Sequence, residues 1–257
     1  MPNIGIIGGS GVYDPQIFQN AEKKKVDTPY GLPSDMITFG EINGVEVAFL
    51  PRHGEDHSIP PHEVNYRANI YALNEVGVDK LLSLSAVGSL SENIAPGDFV
   101  LPDQFIDETK NRNYTFYNGP QVAHIQIGEE PFCPELRSII ERNSDARNGG
   151  TIVVIEGPRF STKAESKIWK DVYNADIVSM TLAPEVTLAR EKGMCYVNLA
   201  SVTDYDIWAE DSVTATEVEN VAKKNLEKSK EILYDSMPYL QGSNDCDCEE
   251  ALENAFL

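Results

Sequence analysis

Two carboxylates follow a long apolar run and stand two positions apart. The run covers residues 195–201, and the acids are Asp204 and Asp206 in the segment Thr203-Asp204-Tyr205-Asp206. If the strand continues through them, alternation places both side chains on one face. Two neighbouring carboxyl groups in a partly dry site do not both ionise easily, so one stays protonated near neutral pH. Such a group can act as a general acid, and we assign that role to Asp204.

A solvated turn and a fragment of a calcium loop are the alternatives for this segment. Against calcium, the series stops at two acids, and no glycine follows at the position that an EF-hand loop requires. A candidate acid also needs a substrate site beside it.

Three other strand ends carry groups that bind anions. The first is the glycine-rich segment 5–11, in which Ser10 adds a hydroxyl to backbone N–H donors. The second is Arg52-His53, directly after an apolar run, and the third is the segment 85–89. Ligands of open α/β sheets bind at the carboxyl ends of strands, and arginine suits bidentate capture of phosphate. Together these strand ends predict a phosphate site.

The glycine-rich segment fits the nucleotide-binding fingerprints poorly. A dinucleotide fingerprint that starts at Gly9 would have Asp14 in place of its third glycine, and the Walker lysine is absent. A carboxylate at that position would face pyrophosphate. A nicotinamide-dependent oxidoreductase is therefore a weak alternative, and a tight turn without a ligand is another.

Short apolar runs alternate with segments of helical spacing along the chain. The predicted strands are 4–7, 45–50, 80–86, 99–101, 152–155, 177–179 and 195–201. The predicted helices are 62–76, 162–172, 184–192, a long helix from 213, and a short terminal helix over 248–256. This alternation predicts a single α/β domain over residues 1–257, with a mixed central sheet covered by helices on both faces. The cysteine-containing terminal helix follows the body from about residue 242.

The net charge of −20 restricts the partners of the chain. Binding to nucleic acid or anionic lipid depends on clustered Lys and Arg that neutralise phosphates, so neither partner is expected. No run approaches the roughly 18 apolar residues of a membrane span. The first residues lack the basic and apolar segments of a secretion signal, and we expect a cytoplasmic protein.

The four cysteines are Cys133, Cys195, Cys246 and Cys248. Because no Cys-x-x-Cys pair occurs and only four histidines are present, a zinc site is not expected. Cys246 and Cys248 are either inert surface thiols or a redox or structural pair, whose bridge would be exposed and easily reduced. A Cys133–Cys195 bridge would join distant parts of the chain and stabilise it more. Four free thiols are the remaining alternative.

As an ordered set, the motifs of this chain resemble the methylthioadenosine phosphorylases. The similarity extends from about residue 3 to about residue 208 and is weaker in the helix after Val213 and in the tail. The segments that carry it are Gly8-Gly9-Ser10-Gly11, residues 29–35, Arg52-His53-Gly54, residues 64–69, Gly88-Ser89-Leu90, Pro96-Gly97-Asp98, residues 103–107, Glu156-Gly157-Pro158-Arg159-Phe160 and Thr203-Asp204-Tyr205-Asp206.

The resemblance implies a role for each matching position. The implied phosphate-binding residues are Ser10, Arg52, His53, Ser85, Ala86 and Thr181. The implied nucleoside-binding residues are Met180 at the ribose, Phe160 and Ser161 at the base, Asp204 and Asp206 at the purine edge, and Ala215 and Val218 at the methylthio group. His124 matches a residue that a neighbouring subunit adds to the methylthio pocket, which implies a homotrimer or a dimer of trimers. No metal or organic cofactor is implied, because inorganic phosphate is the co-substrate.

The expected reaction is phosphate-dependent cleavage of 5′-methylthioadenosine to adenine and 5-methylthioribose 1-phosphate, a step of purine and methionine salvage. Cleavage of this kind passes through an oxocarbenium-like state, as glycoside hydrolysis does. The alternatives are a phosphorylase for 6-oxopurines such as methylthioinosine, inosine or guanosine, a nucleotide-binding oxidoreductase, and a non-catalytic nucleoside sensor. The two carboxylates favour a 6-amino group, because an amino group donates hydrogen bonds to them.

Overall fold

The computed structural model describes residues 2–9, 17–208, 215–242 and 245–256. Its strands are β1 (Ile4–Gly8), β2 (Gln19–Lys24), β3 (Ile37–Ile42), β4 (Val45–Pro51), β5 (Lys80–Ser89), β6 (Phe99–Leu101), β7 (Gln104–Glu108), β8 (Arg147–Asn148), β9 (Thr151–Ile155), β10 (Ile177–Ser179) and β11 (Cys195–Asp204). Its helices are α1 (Tyr66–Glu75), α2 (Pro134–Arg142), α3 (Lys163–Asp171), α4 (Leu182–Glu191) and α5 (Ala215–Leu240). Two 3-10 turns cover Asp206–Trp208 and Cys248–Leu252.

The described strands join one mixed sheet, which confirms the predicted fold class. The main path is β2-β3-β4-β1-β5-β10-β9-β7, and β11, β6 and β8 continue from β5 on a second branch. Strand β1 is parallel to β4 and β5, and β5 is parallel to β11. The carboxyl ends of these four strands therefore meet at one edge of the sheet. Strand β5 belongs to both branches, which explains why its sequence is almost continuously apolar or small.

Helices cover both faces of the sheet, as predicted. Ile7 of β1 packs in a core cluster with α1 and α4, whereas its neighbour Ile6 packs on the opposite face with α2 and α5. A smaller cluster around Trp169 holds α3 against β9 and β10. Within the described ranges, no helix combines the length and the apolar character that crossing a membrane requires.

Helix α1 begins later than Pro60-Pro61 predicts. Asn65 caps it, and its side chain accepts a hydrogen bond from Ala68 N at 3.2 Å. Helix α3 begins where predicted, because Thr162 and Glu165 form a reciprocal capping box.

Several elements are absent from the sequence prediction, namely β2, β3, β7, β8 and α2. Every residue of β2 is exposed, so the strand carries no apolar signal and is held only as an edge beside β3. The short terminal helix predicted over 248–256 is shorter in the structure, where a 3-10 turn covers Cys248–Leu252.

The cysteines also lie differently from the sequence interpretation. The sulfur atoms of Cys133, Cys195, Cys246 and Cys248 all lie within 4.8 Å of one another. Cys248 is buried and Cys246 is half-buried, so the interpretation of this pair as inert surface thiols is wrong for Cys248. All four are thiols and not disulfides in the structure, and the two predicted bridges remain predictions.

Candidate active site

The C-terminal ends of the parallel strands surround a cavity of about 440 Å³. Residues 85–88 of β5 line it, between residues that follow β1 and β4 and residues that end β10 and β11. At about 3.3 Å per residue, Ser85 and Gly88 lie about 10 Å apart, so β5 spans the cavity. We name the region of Gly9, Arg52 and His53 the arginine end, and the region of Gly88, Asp204 and Asp206 the carboxyl end.

The cavity brings together most of the positions that the resemblance implies. Those that line it are Arg52, His53, Ser85, Ala86, Phe160, Ser161, Met180, Thr181, Asp204, Asp206 and Val218. Ser10 lies outside the described residues, and Ala215 is the first residue of α5, with a side chain outside that description. His124 does not line the cavity of its own chain. It is exposed, and its backbone N–H donates to Ala255 O at 2.8 Å.

Arg52 is buried at the arginine end with its charge already paired. Nε donates to Glu185 Oε2 at 2.7 Å and Nη2 donates to Glu185 Oε1 at 2.9 Å, which are the two bonds of a bidentate pair. Nη2 also donates to Ser83 Oγ at 2.8 Å, and Nη1 donates to Leu84 O at 3.0 Å. The predicted bidentate capture of phosphate is therefore wrong, because Glu185 occupies that edge of the guanidinium. Counting described residues alone, the donor that remains for a ligand is the second N–H of Nη1.

Glu185 is a residue of this site that the sequence analysis missed. Its side chain is fully buried, and it accepts from Ser83 Oγ at 2.6 Å and from Tyr196 OH at 2.8 Å in addition to Arg52. Burying a carboxylate costs several kcal/mol unless it is paired and hydrogen-bonded, and these bonds supply that compensation. The available signal was a single acid in the otherwise uncharged stretch 182–189. Its partner lies 133 positions away, which no local pattern reveals.

The His53 ring is neutral and presents a lone pair to the cavity. Nδ1 lies 2.7 Å from Ile59 O, so Nδ1 carries the hydrogen and Nε2 is the acceptor. Burial and the charge of Arg52 lower the pKa of His53 to about 4. A Cβ atom added to Gly9 would lie 3.2 Å from His53 Nε2 and 3.3 Å from Arg52 Nη1. Glycine at position 9 thus leaves room for one ligand to reach both groups.

Ser85 and Thr181 add hydroxyl groups to the cavity. Ser85 Oγ lies 3.1 Å from Asn198 Nδ2 and 3.2 Å from Asn198 Oδ1, so a buried amide of β11 orients this hydroxyl. Thr181 directly precedes α4, and its backbone N–H donates to Ser179 Oγ at 3.3 Å. Hydroxyl groups both donate and accept, which suits the oxygens of a partly protonated anion.

Asp204 and Asp206 lie together at the carboxyl end, but strand alternation does not bring them there. Strand β11 ends at Asp204, after an irregularity that places Thr203 between the pairs Val202↔Val87 and Asp204↔Gly88. Asp206 opens a 3-10 turn with φ of +50°, and its N–H donates to Asp204 Oδ1 at 2.8 Å. The predicted continuation of the strand to Asp206 is wrong, because a tight turn joins the two acids.

The two carboxyl groups occupy different environments. Asp204 Oδ2 accepts from Thr203 Oγ1 at 2.7 Å, and burial raises the pKa of the Asp204 carboxyl above its usual range. Asp206 is 5% exposed, and its Oδ2 is buried without a hydrogen-bond partner among the residues that the structure describes. A buried acceptor without a partner costs about 1–3 kcal/mol, so this oxygen marks a place where a ligand donor is favoured.

Apolar side chains also line the cavity and form its more open wall. Val178 and Met180 line it beside β5, and a Cβ atom at Gly157 would lie 2.8 Å from the Met180 sulfur. Phe160 is 44% exposed and Val218 of α5 is half-buried, so this wall is less enclosed than the arginine end. A flat or apolar ligand group would pack there.

Comparison with known sequences identifies the family. The family model described as the phosphorylase superfamily matches residues 3–237. The S-methyl-5'-thioadenosine phosphorylase of Thermofilum pendens is 55% identical over 99% of this chain and 98% of its own length. The protein of the same name from Pyrococcus furiosus is 55% identical over 100% of both chains.

Solved structures share the whole fold. The methylthioadenosine phosphorylase from Schistosoma mansoni in complex with adenine has a TM-score of 0.92 at 39% identity, and the match covers 99% of this chain and 97% of that one. A variant of the adenosine/methylthioadenosine phosphorylase from the same organism, in complex with methylthioadenosine, has a TM-score of 0.91 at 38% identity, covering 99% and 96%. Family model, full-length relatives and fold agree, and the chain belongs to the phosphorylase superfamily, with S-methyl-5'-thioadenosine phosphorylases as its relatives.

Proposed function

We propose that this cavity carries out the phosphate-dependent cleavage of 5′-methylthioadenosine to adenine and 5-methylthioribose 1-phosphate. The observation that carries the proposal is one cavity with donors for an anion at the arginine end and two acids at the carboxyl end. The names of the full-length relatives support the reaction, as do the ligands of the Schistosoma mansoni structures. Membership of the phosphorylase superfamily disfavours the oxidoreductase and the non-catalytic sensor.

Inorganic phosphate occupies the arginine end in this proposal. The remaining N–H of Arg52 Nη1 and the Ser85 hydroxyl donate to its oxygens, and Ala86 and Thr181 complete the described part of the site, to which the resemblance adds Ser10. The lone pair of His53 Nε2 accepts the hydrogen of a protonated phosphate oxygen. This leaves the unprotonated oxygens for attack on the anomeric carbon, where their charge stabilises the oxocarbenium-like state.

Asp204 supplies the proton for the leaving group. As the phosphate oxygen bonds to the anomeric carbon, the C–N bond breaks and its electron pair stays on the purine. Burial raises the pKa of the Asp204 carboxyl, which favours its protonated form, and in that form it donates to the five-membered ring of the base. General acid catalysis contributes about 10²–10⁴-fold, so a large share of the rate depends on this one group.

Asp206 recognises the edge of the purine and positions the acid. Its backbone N–H holds Asp204 Oδ1, and its buried Oδ2 lacks a described partner and suits a donor such as a 6-amino group. Phe160 and Ser161 contact the base, and Met180 packs on the ribose. A 6-oxo group would place an acceptor against the Asp206 carboxylate, which disfavours inosine-type substrates.

The methylthio group lies against α5. Val218 lines the pocket from one chain, the resemblance adds Ala215, and His124 of a neighbouring subunit closes it, in a homotrimer or a dimer of trimers. His124→Ala should raise KM for methylthioadenosine and leave KM for phosphate unchanged. A monomer in solution that retains full activity would contradict the shared pocket.

The decisive experiment measures adenine release from methylthioadenosine with and without phosphate, with inosine as a parallel substrate. We expect release that depends on phosphate and favours methylthioadenosine. Release without phosphate would disprove phosphorolysis, and a preference for inosine would identify a 6-oxopurine phosphorylase.

The proposed steps use phosphate as co-substrate, and none is routed through a metal or an organic cofactor. The bridges Cys133–Cys195 and Cys246–Cys248 and a cytoplasmic location, all expected from the sequence, remain predictions.

A further inference from the structure

Four cysteines from distant parts of the chain converge outside the active site. Cys133 precedes α2, Cys195 begins β11, and Cys246 and Cys248 lie in the C-terminal segment. Cys246 Sγ lies 3.6 Å from Cys133 Sγ and 3.5 Å from Cys195 Sγ, and all four sulfur atoms lie within 4.8 Å of one another. The proposed reaction uses none of them.

These distances match the dimensions of a tetrahedral metal–thiolate site. Zinc binds cysteine sulfur at about 2.3 Å, so the sulfur atoms of a regular ZnS₄ tetrahedron lie about 3.8 Å apart. Small side-chain rotations would bring the sulfur atoms to that spacing. Each thiol also comes from a separately anchored segment, except for the Cys246–Cys248 pair, which presents two ligands from one turn.

The surroundings suit a bound cation and its thiolates. Cys133, Cys195 and Cys248 are buried, whereas Cys246 borders a second cavity of about 630 Å³ whose lining includes Glu129, Asp245 and Asp247. This acidic opening gives a divalent cation an attractive path to the sulfur atoms.

A buried arginine balances the negative charge of a thiolate cluster. Arg190 Nη1 donates to Cys248 O at 3.2 Å, and Arg190 Nε is buried without a partner among the described residues. The positive charge of Arg190 thus lies beside the cluster, where it would offset part of the charge of metal-bound thiolates.

We propose that Cys133, Cys195, Cys246 and Cys248 bind one Zn²⁺ ion as a structural site. The four thiols release their protons to solvent as four Zn–S bonds form, and no electrons are transferred. The ion fastens the C-terminal segment to α2 and β11, far from the reacting atoms. Disulfide formation is the competing fate of the same thiols, and it requires an oxidant that removes two electrons for each bond.

Cobalt titration of the reduced, metal-free full-length chain under argon tests the site, because Co²⁺ in a tetrahedral thiolate site absorbs strongly. We expect a sulfur-to-cobalt charge-transfer band that saturates at a single Co²⁺ per chain and disappears when Zn²⁺ is added. Zn²⁺ should also raise the Tm of the metal-free protein, because the ion binds only the folded chain. Absence of the band from the reduced wild-type chain would overturn the proposal, whether or not any variant folds.

Two variants separate this site from the active site. Cys246→Ser, at the half-buried position, should lose the band and the Tm increase but keep phosphorolysis at low temperature. Asp204→Asn is the matched control, and it should keep the band while losing activity. A band that survives Cys246→Ser at full strength would contradict the four-cysteine site. Two disulfides per chain, found by mass spectrometry after the thiols are alkylated during cell lysis, would also overturn the proposal.

Discussion

The guanidinium of Arg52 lies edge to edge with the carboxylate of Glu185, through bonds of 2.7 and 2.9 Å in a site that excludes solvent. This pair fixes the arginine before any ligand arrives, so a ligand meets a preset N–H donor instead of a flexible cation. Arg52 therefore pairs with Glu185 inside the fold and, in our proposal, also binds phosphate during the reaction. Substitutions at either residue should change both stability and phosphate binding.

Arg52→Met should raise KM for phosphate much more than KM for the nucleoside and should lower the free energy of unfolding by about 3–5 kcal/mol, because Glu185 is left charged and unpaired. Urea unfolding and initial rates at varied phosphate measure the two effects. The double variant Arg52→Met/Glu185→Gln should recover much of the stability without recovering phosphate affinity. Equal loss of stability in the single and double variants would contradict the pairing.

Asp204→Asn should lower turnover of methylthioadenosine by at least about 10²-fold, because an amide cannot deliver the proton. Burial raises the pKa of Asp204, so the protonated, active form persists at low pH and is lost as pH rises through that pKa. Wild-type kcat should therefore show a falling alkaline limb that Asp204→Asn lacks.

The two acids should differ in their effects. Asp206→Asn should lower turnover of methylthioadenosine less than Asp204→Asn does, and Asp204→Asn should gain activity on inosine relative to methylthioadenosine. Near-normal turnover by Asp204→Asn would remove Asp204 as the acid.

Gly88→Ala should weaken nucleoside use and spare phosphate binding. The added Cβ would lie 3.0 Å from Asp204 Oδ1 and 3.1 Å from Val178 Cγ1, so the carboxyl end would have to shift. Overpacking of this kind costs about 1–3 kcal/mol, and we expect kcat/KM for methylthioadenosine to fall about tenfold or more. Gly119→Ala, where nothing lies within 4 Å of the new atom, is the control. Equal kcat/KM values for Gly88→Ala and Gly119→Ala in steady-state kinetics would contradict this crowding.

His53 should make the protein less stable in mild acid. Its folded-state pKa of about 4 lies below the ordinary value of about 6.5. Between these values the unfolded chain binds a proton that the folded chain does not. The contribution of His53 to the free energy of unfolding is therefore complete above about pH 6.5 and is lost as pH falls toward 4. Urea midpoints near pH 7.5 and near pH 5 should differ less in His53→Asn than in the wild type. His62→Asn, at an exposed histidine, is the control and should keep the wild-type difference.

The sequence predicts the fold better than the internal contacts of the site. Strand β5 was predictable because apolar runs mark buried strands, and so were the groups at strand ends, namely Arg52, His53, Ser85, Asp204 and Asp206. Most of the other cavity positions came from the resemblance to the methylthioadenosine phosphorylases. Strand β2 was not predictable, because all its residues are exposed and only pairing with β3 orders it. Glu185 was missed as the partner of Arg52 for a related reason, since their contact joins residues 133 positions apart.

The cysteines show the same limit. Spacing along the chain suggested two separate pairs, whereas the packing of α2, β11 and the terminal segment unites Cys133, Cys195, Cys246 and Cys248 in one cluster. The turn at Asp206 was also missed, because its positive φ is a property of the folded backbone and not of the Asp-Tyr-Asp pattern.

The unequal enclosure of the cavity has a consequence for evolutionary change. Arg52 and Glu185 are 1% and 0% exposed. Substitutions at the arginine end would therefore lower the stability of the whole domain, which limits how far its sequence can change. Phe160 is 44% exposed and Val218 is only half-buried, so substitutions there perturb little of the core. Duplicated copies of such a gene can therefore diversify the 5′ substituent or the base that they accept while the phosphate chemistry is inherited unchanged.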